Sequence, residues 1–109
     1  MVDVDKIKKE IIEQLRPLDF DKIILFGSYA YGEPNSDSDL DICIIDDNFT
    51  SRIKSKREIR DKLKDIDLPK DILLVSSQYY LSHSDENWLN TALYDVRNKG
   101  DVLYEKRWD

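Results

Sequence analysis

Two short groups of residues in this chain have the types and spacing to do chemistry together. Gly27-Ser28 directly follows the apolar run Ile23-Ile24-Leu25-Phe26, and ten residues later Asp39-Leu40-Asp41 leads into a second apolar run, Ile42-Cys43-Ile44-Ile45. A glycine at the end of a strand permits a sharp reversal into a helix. The first N–H groups of that helix lack partners within it and favour an anion such as phosphate, and Ser28 adds a hydroxyl donor. Two carboxylates on one strand face lie roughly 6.6 Å apart at Cα. At ~4 Å such like charges repel by about 4 kcal/mol at an effective dielectric of 20. A divalent cation relieves that repulsion, and magnesium suits one or two carboxylates plus phosphate oxygens. The two groups together read as a site for a nucleotide and its magnesium.

Each half alone has an ordinary explanation. Gly-Ser is a common strand-to-helix turn. Ser36-Asp37-Ser38-Asp39 is a polar loop, which explains Asp37 well but explains Asp41, between Leu40 and Ile42, poorly. Two other motifs fail. A calcium-binding EF-hand loop starting at Asp37 needs glycine and glutamate where the chain has Ile42 and Asn48, and a P-loop starting at Gly27 needs lysine where it has Glu33.

The elements that must position these residues follow from periodicity. Val4, Ile7, Ile11 and Leu15 recur at helical spacing, so Asp3 to Leu15 reads as a helix capped by Asp3 or Asp5 and ended by Pro17. Ile23 to Phe26 is a buried strand, Ser28 to Tyr31 a short helix, and Gly32 to Asn35 a turn. Leu40 to Ile45 is a strand with Asp39, Asp41 and Cys43 on one face and Leu40, Ile42 and Ile44 on the other. Ser51 to Leu63 reads as a charged helix with Ile53, Ile59 and Leu63 inward, and Asp71 to Val75 as a third strand. A last helix, capped by Asp85 or Asn87, carries the stripe Trp88, Leu89, Ala92, Leu93 and Val96, with Gly100 just past its end. Val102-Leu103-Tyr104 is a short strand or docking segment. This order gives an α/β or α+β domain with one small sheet.

The bulk numbers bound the function. At 109 residues, with 40% apolar and 37% charged residues, the chain is expected to be one globular domain, residues 1–109. No run approaches a membrane span, and Met1 to Asp5 lacks the basic and apolar parts of a signal peptide. Cys43, the only cysteine, fits a reducing cytoplasm. The net charge of −6 argues against a broad nucleic-acid footprint. It leaves room for a small anionic ligand, because a bound metal inverts the local charge.

The strand, Gly-Ser, ten-residue and Asp-x-Asp pattern resembles the nucleotidyltransferase family of the DNA polymerase β superfamily, and Ala30, Gly32, Ser38 and Leu40 agree with it as well. The ending, Ala92 to Lys99 followed by Gly100-Asp101-Val102-Leu103-Tyr104-Glu105, is similar to that of the minimal bacterial members. The resemblance implies a polymerase β-like fold, a small mixed β-sheet flanked by helices. It implies a third carboxylate on a later strand, a slot that Asp71 fits and for which Asp67 is the rival. It implies transfer of a nucleoside monophosphate, AMP from ATP, to a hydroxyl. In that reading Asp39, Asp41 and Asp71 hold two magnesium ions, Asp71 doubles as general base, and Gly27, Ser28, Asp39 and Asp41 bind the nucleotide. It further implies an antitoxin role beside a HEPN-domain toxin, with a toxin tyrosine as acceptor. The alternatives are a non-catalytic module that neutralises a partner by contact, or an enzyme with a small-molecule acceptor. The chain departs from the family at Tyr31, where many members carry an arginine able to assist the triphosphate.

Other residues have plainer readings. His83, the only histidine, lies in a polar stretch and is expected at the surface; Cys43 is a small core residue. Arg52, Lys54, Lys56, Arg57 and Arg60 form a solvated helix face or, alternatively, a docking surface for an acidic partner. Tyr79, Tyr80 and Trp88 are expected to pack in the core, the other readings being a nucleobase or a partner interface.

Overall fold

The structure, a computed structural model, describes residues 3–34, 37–89 and 91–106. Asn35 and Ser36, part of the expected turn and polar loop, lie outside the described residues. The first helix, α1 (Val4–Leu15), starts where the Asp3 carboxylate accepts a hydrogen bond from the Lys6 N–H at 3.1 Å. Pro17 converts its end into a 3₁₀ turn, Arg16–Leu18, and Asp19 then takes a left-handed conformation that turns the chain into β1 (Lys22–Phe26). A four-residue helix, α2 (Ser28–Tyr31), links β1 to β2 (Leu40–Ile45). Next come α3 (Arg52–Lys62), β3 (Lys70–Val75), α4 (Ser77–Ser82), α5 (Ala92–Lys99) and β4 (Asp101–Glu105).

The four strands form one mixed sheet in the order β3-β2-β1-β4, with β2 and β3 parallel and the other pairs antiparallel. Both faces are covered, which is why the strands read as nearly continuous apolar runs. Ile23, Leu25, Leu40, Ile42, Ile44, Ile72 and Leu74 meet Ile11 and Leu15 of α1 and Ile59 and Leu63 at the end of α3. Ile24, Phe26, Cys43, Ile45 and Val75 meet Leu93 and Val96 of α5. Each such aliphatic side chain contributes about 1.5–3 kcal/mol when fully buried.

Gly100 is tied to this second layer. Its backbone is extended (φ −66°, ψ 154°) rather than left-handed, so the expected helix-end role is not the reason for glycine. A Cβ there would collide with the Val96 carbonyl oxygen and lie 2.6 Å from Cγ2 of Ile24. Gly100→Ala is therefore expected to destabilise the fold by about 2 kcal/mol, measured as a lower midpoint of denaturant unfolding.

Two expectations change in three dimensions, one helix is added, and one open alternative is decided. Ile53 is 73% exposed rather than inward. At about 100° per residue it sits roughly 120° around α3 from Ile59, outside the stripe that Ile59 and Leu63 share. The last helix starts at Ala92, capped by Thr91, because Asp85 caps a separate 3₁₀ turn, Glu86–Trp88, and the chain then extends at Leu89 (φ −50°, ψ 139°). Trp88 and Leu89 are consequently exposed instead of belonging to the helix stripe. Helix α4 has no counterpart among the expected elements. Its cap Ser76 accepts from the Tyr79 N–H at 3.1 Å, and a serine ahead of Tyr79-Tyr80-Leu81 is the signal that marks it. Residues 102–104 form part of a true strand paired with β1, with an irregular register between Ile23 and Ile24.

Candidate active site

The sheet register brings the two sequence groups together. Phe26, the last residue of β1, lies opposite Asp41 on β2, so Gly27 turns away from the sheet beside the Asp41 side chain. Gly27 has φ +76°, a conformation that favours glycine, and a Cβ on it would collide with Asp41 Oδ2 and lie 2.9 Å from Asp41 Cγ. The carboxylate of Asp41 thus rests against the glycine backbone at the start of α2. The N–H groups of Ala30 and Tyr31 fold back onto the Gly27 carbonyl at 3.0 and 3.2 Å, and that of Gly32 onto the Ser28 carbonyl at 3.0 Å. The Ser28 N–H, at the first helical position, lies outside this ladder.

Asp71 completes the group. It pairs with Asp41 across the parallel β2–β3 ladder, on the same face of the sheet. Asp67 lies before β3, in the loop ahead of Pro69, and does not join the sheet. Asp39 immediately precedes β2 and is exposed, as is Asp71, whereas Asp41 between them is half-buried. Burial first, then the charges of Asp71 and Asp39, push the Asp41 carboxyl up from 3.8 to about 6. Three acidic groups therefore act on one another at the end of the sheet where α2 begins.

These residues fit a divalent cation as a donor set. All are hard carboxylate oxygens, and their mutual repulsion is what a cation removes. Among the described residues, no group of three or more His, Cys, Asp or Glu side chains forms a ready-made metal cage. Magnesium does not need one, since it takes one or two carboxylates and fills its shell with water and substrate phosphate.

The other singled-out residues divide. Cys43 is fully buried, and burial pushes its thiol up to about 12, so it is an inert core residue. His83 is not a simple surface residue. It is half-buried and stacked on Tyr79 (centroids 3.9 Å apart, planes at 9°), with Trp88 on it at 4.4 Å. Tyr79 and Trp88 are 45% and 38% exposed, so the expectation of core packing holds for neither; Tyr80 does pack, partly buried, against the second core. In the basic run, Arg52 donates Nε to the Leu74 carbonyl and Arg60 donates to the Lys70 carbonyl, both along the outer edge of β3. Sequence reasoning missed Lys99, whose ammonium lies 5.6 Å from the centre of the Tyr31 ring. Its place in the last turn of α5 gave no sign that it would meet α2.

The fold is thus a mixed α/β domain with a glycine-cradled carboxylate at a helix start and acidic neighbours at the same end of its sheet. The chain matches the nucleotidyltransferase domain family over residues 4–108 and belongs to that family. Solved structures share its fold. It is 23% identical to a chain of a toxin-antitoxin crystallised with AMP-PNP, covering 92% of this chain and 74% of that one, with a TM-score of 0.65. It is 19% identical to a chain of the complex of tri-AMPylated Shewanella oneidensis HEPN toxin with its MNT antitoxin (95% and 74% covered, TM-score 0.62). It is 20% identical to a chain of the MntA-HepT toxin-antitoxin (94% and 73%, TM-score 0.59). No curated protein matches it. Among the described residues, no helix is long and apolar enough to cross a membrane.

Proposed function

We propose that this chain is an adenylyltransferase that moves AMP from ATP to a tyrosine hydroxyl of a HEPN-domain toxin, and so acts as its antitoxin. The observation that carries the reading is Asp41, set between the Gly27 backbone and Asp71. The Ser28 hydroxyl and the amides that open α2 hold the β- and γ-phosphates. Lys99, above Tyr31, adds a positive charge on a flank where the family commonly has arginine. Asp39, Asp41 and Asp71 would hold magnesium, which when bound neutralises the triphosphate and lowers the pKa of the attacking hydroxyl. Asp71 receives the hydroxyl proton as the acceptor oxygen bonds to the α-phosphorus; the bond to the β-phosphate breaks and pyrophosphate leaves. Most of the catalysis is positioning and charge stabilisation. The relatives that share the fold support the donor and the partner: one was crystallised with AMP-PNP, and another sits beside an AMPylated HEPN toxin.

The test combines binding and transfer. Magnesium is expected to raise AMP-PNP affinity at least ~100-fold over EDTA, because the phosphates otherwise face uncompensated carboxylates. Incubation of the chain with ATP, magnesium and the HEPN protein is expected to add AMP to that protein, seen by mass spectrometry of its tyrosine peptides. Equal affinity in EDTA, or an unmodified partner that is nevertheless silenced, contradicts the catalytic reading.

A further inference from the structure

A cleft of about 440 Å³ runs beside β3, and it contains none of the residues assigned to the nucleotide. Its floor is Leu73, Val75 and Leu93, one wall is the Tyr79 and Trp88 pair with His83 between them, and its rim carries Arg52 and Lys56. On a chain of net charge −6, no carboxylate among the described residues lines it. Among the described residues, neither Arg52 nor Lys56 forms an ion pair. Arg52 donates its Nε to the Leu74 carbonyl and rests over the Phe49 ring, and neither contact neutralises its charge. Two aromatic rings are thus left exposed beside two cations that no carboxylate within the described structure balances.

The position of the cleft relative to the carboxylates indicates its use. Leu73, on the floor of the cleft, stands two residues after Asp71 on the same face of β3, roughly 7 Å along the strand at Cα. Gly27 and Ser28 follow β1, on the other side of β2. In-line transfer requires the acceptor oxygen and the departing pyrophosphate on opposite sides of the α-phosphorus. With the β- and γ-phosphates at Ser28, the acceptor approaches from β3. We infer that this cleft is the docking groove for the acceptor protein, and that it takes an acidic segment with apolar or aromatic side chains next to the tyrosine to be modified. A nucleobase would use the aromatic wall but would leave Arg52 and Lys56 unmatched. The inference rests on the nucleotidyltransferase reading of the neighbouring site.

Binding is measured separately from chemistry. A fluorescein-labelled peptide with tyrosine and leucine flanked by glutamates is titrated with the full chain at low salt, against the same peptide with lysines in place of the glutamates. The acidic peptide is expected to bind at least about tenfold more tightly, with the preference fading as salt rises. Lys56→Glu, on the rim of the cleft, is expected to abolish or reverse that preference, and Trp88→Ala to weaken binding of the acidic peptide about tenfold. Circular dichroism verifies that both variants are folded. Equal binding of the two peptides, or an acidic preference untouched by Lys56→Glu, overturns the inference; so does displacement of the acidic peptide by adenosine, which assigns the cleft to the nucleobase. Magnesium-dependent AMP-PNP affinity, measured in parallel on the wild-type chain, reports on the nucleotide site alone. Its absence alongside retained peptide selectivity refutes the catalytic reading and leaves an acidic-peptide groove.

Discussion

Asp41→Asn is expected to lower AMP transfer by about 10³-fold or more while making the metal-free protein more stable at alkaline pH. The loss follows from removing the carboxylate at the centre of the acidic group, since a site of this kind accelerates transfer chiefly by stabilising charge on the reacting phosphate. The gain follows from electrostatics. The Asp41 carboxyl titrates near 6 in the folded chain against 3.8 ordinarily, because burial and the charges of Asp71 and Asp39 disfavour its ionised form. The folded state therefore holds this proton more tightly than the unfolded state. As pH rises from about 4 to 6 the unfolded chain releases the proton first, so wild-type stability falls across that window and levels off above it. Asparagine carries no such penalty. After allowance for solvent screening at a partly exposed site, the difference at pH 8 is about 1 kcal/mol, or roughly 5 °C in Tm for a domain of this size. At pH 4 the two proteins should melt at nearly the same temperature. Thermal melts in EDTA at the two pH values, paired with transfer assays, check both halves. A variant that is less stable than wild type at pH 8 removes the proposed repulsion, and wild-type transfer removes the catalytic role.

The second large effect is expected at Gly27. Alanine there forces a side chain into a left-handed conformation, which costs about 1–2 kcal/mol, and drives its methyl group into the Asp41 carboxylate. Asp41 must move, and the start of α2 moves with it. Gly27→Ala is thus expected to lose about 2–3 kcal/mol of stability, together with about 100-fold or more of its magnesium-dependent AMP-PNP affinity. Gly100→Ala provides the contrast. Its loss of stability is similar, but it comes from a collision with Val96 and Ile24 in the second core, and AMP-PNP affinity is expected to be retained once the protein is folded. Calorimetric titration of the two folded variants separates the roles. Equal AMP-PNP affinity in both would show that the Gly27–Asp41 contact has no part in nucleotide binding.

Much of the candidate site was legible because it is built from neighbours in the chain. Residues 23–45 carry their own instructions: two apolar runs of strand length, a glycine that ends the first, and acids at the start of the second. An antiparallel pair joined by α2 then places Phe26 across from Asp41. The alternation that separates Asp41 and Cys43 from Leu40 and Ile42 is equally local, and the two cores divide along it. Two of the misses came from helical phase and from competition between caps. Ile53 looked inward by composition but lies outside the α3 stripe, and Thr91 competed successfully with Asp85 and Asn87 for the start of α5.

By itself, then, the amino-acid order determined the strand–turn–strand unit and the pairing of the Gly27-Ser28 turn with two acids, since both depend on interactions within a short stretch of chain. Only the tertiary structure decided that Asp71 rather than Asp67 stands beside Asp41, that Lys99 meets Tyr31, and that Arg52, Lys56, Tyr79 and Trp88 enclose one cleft. Those juxtapositions are set by the register of a parallel strand pair and by how helices pack over the sheet edge. Such contacts join residues far apart in the chain, and no local periodicity encodes them.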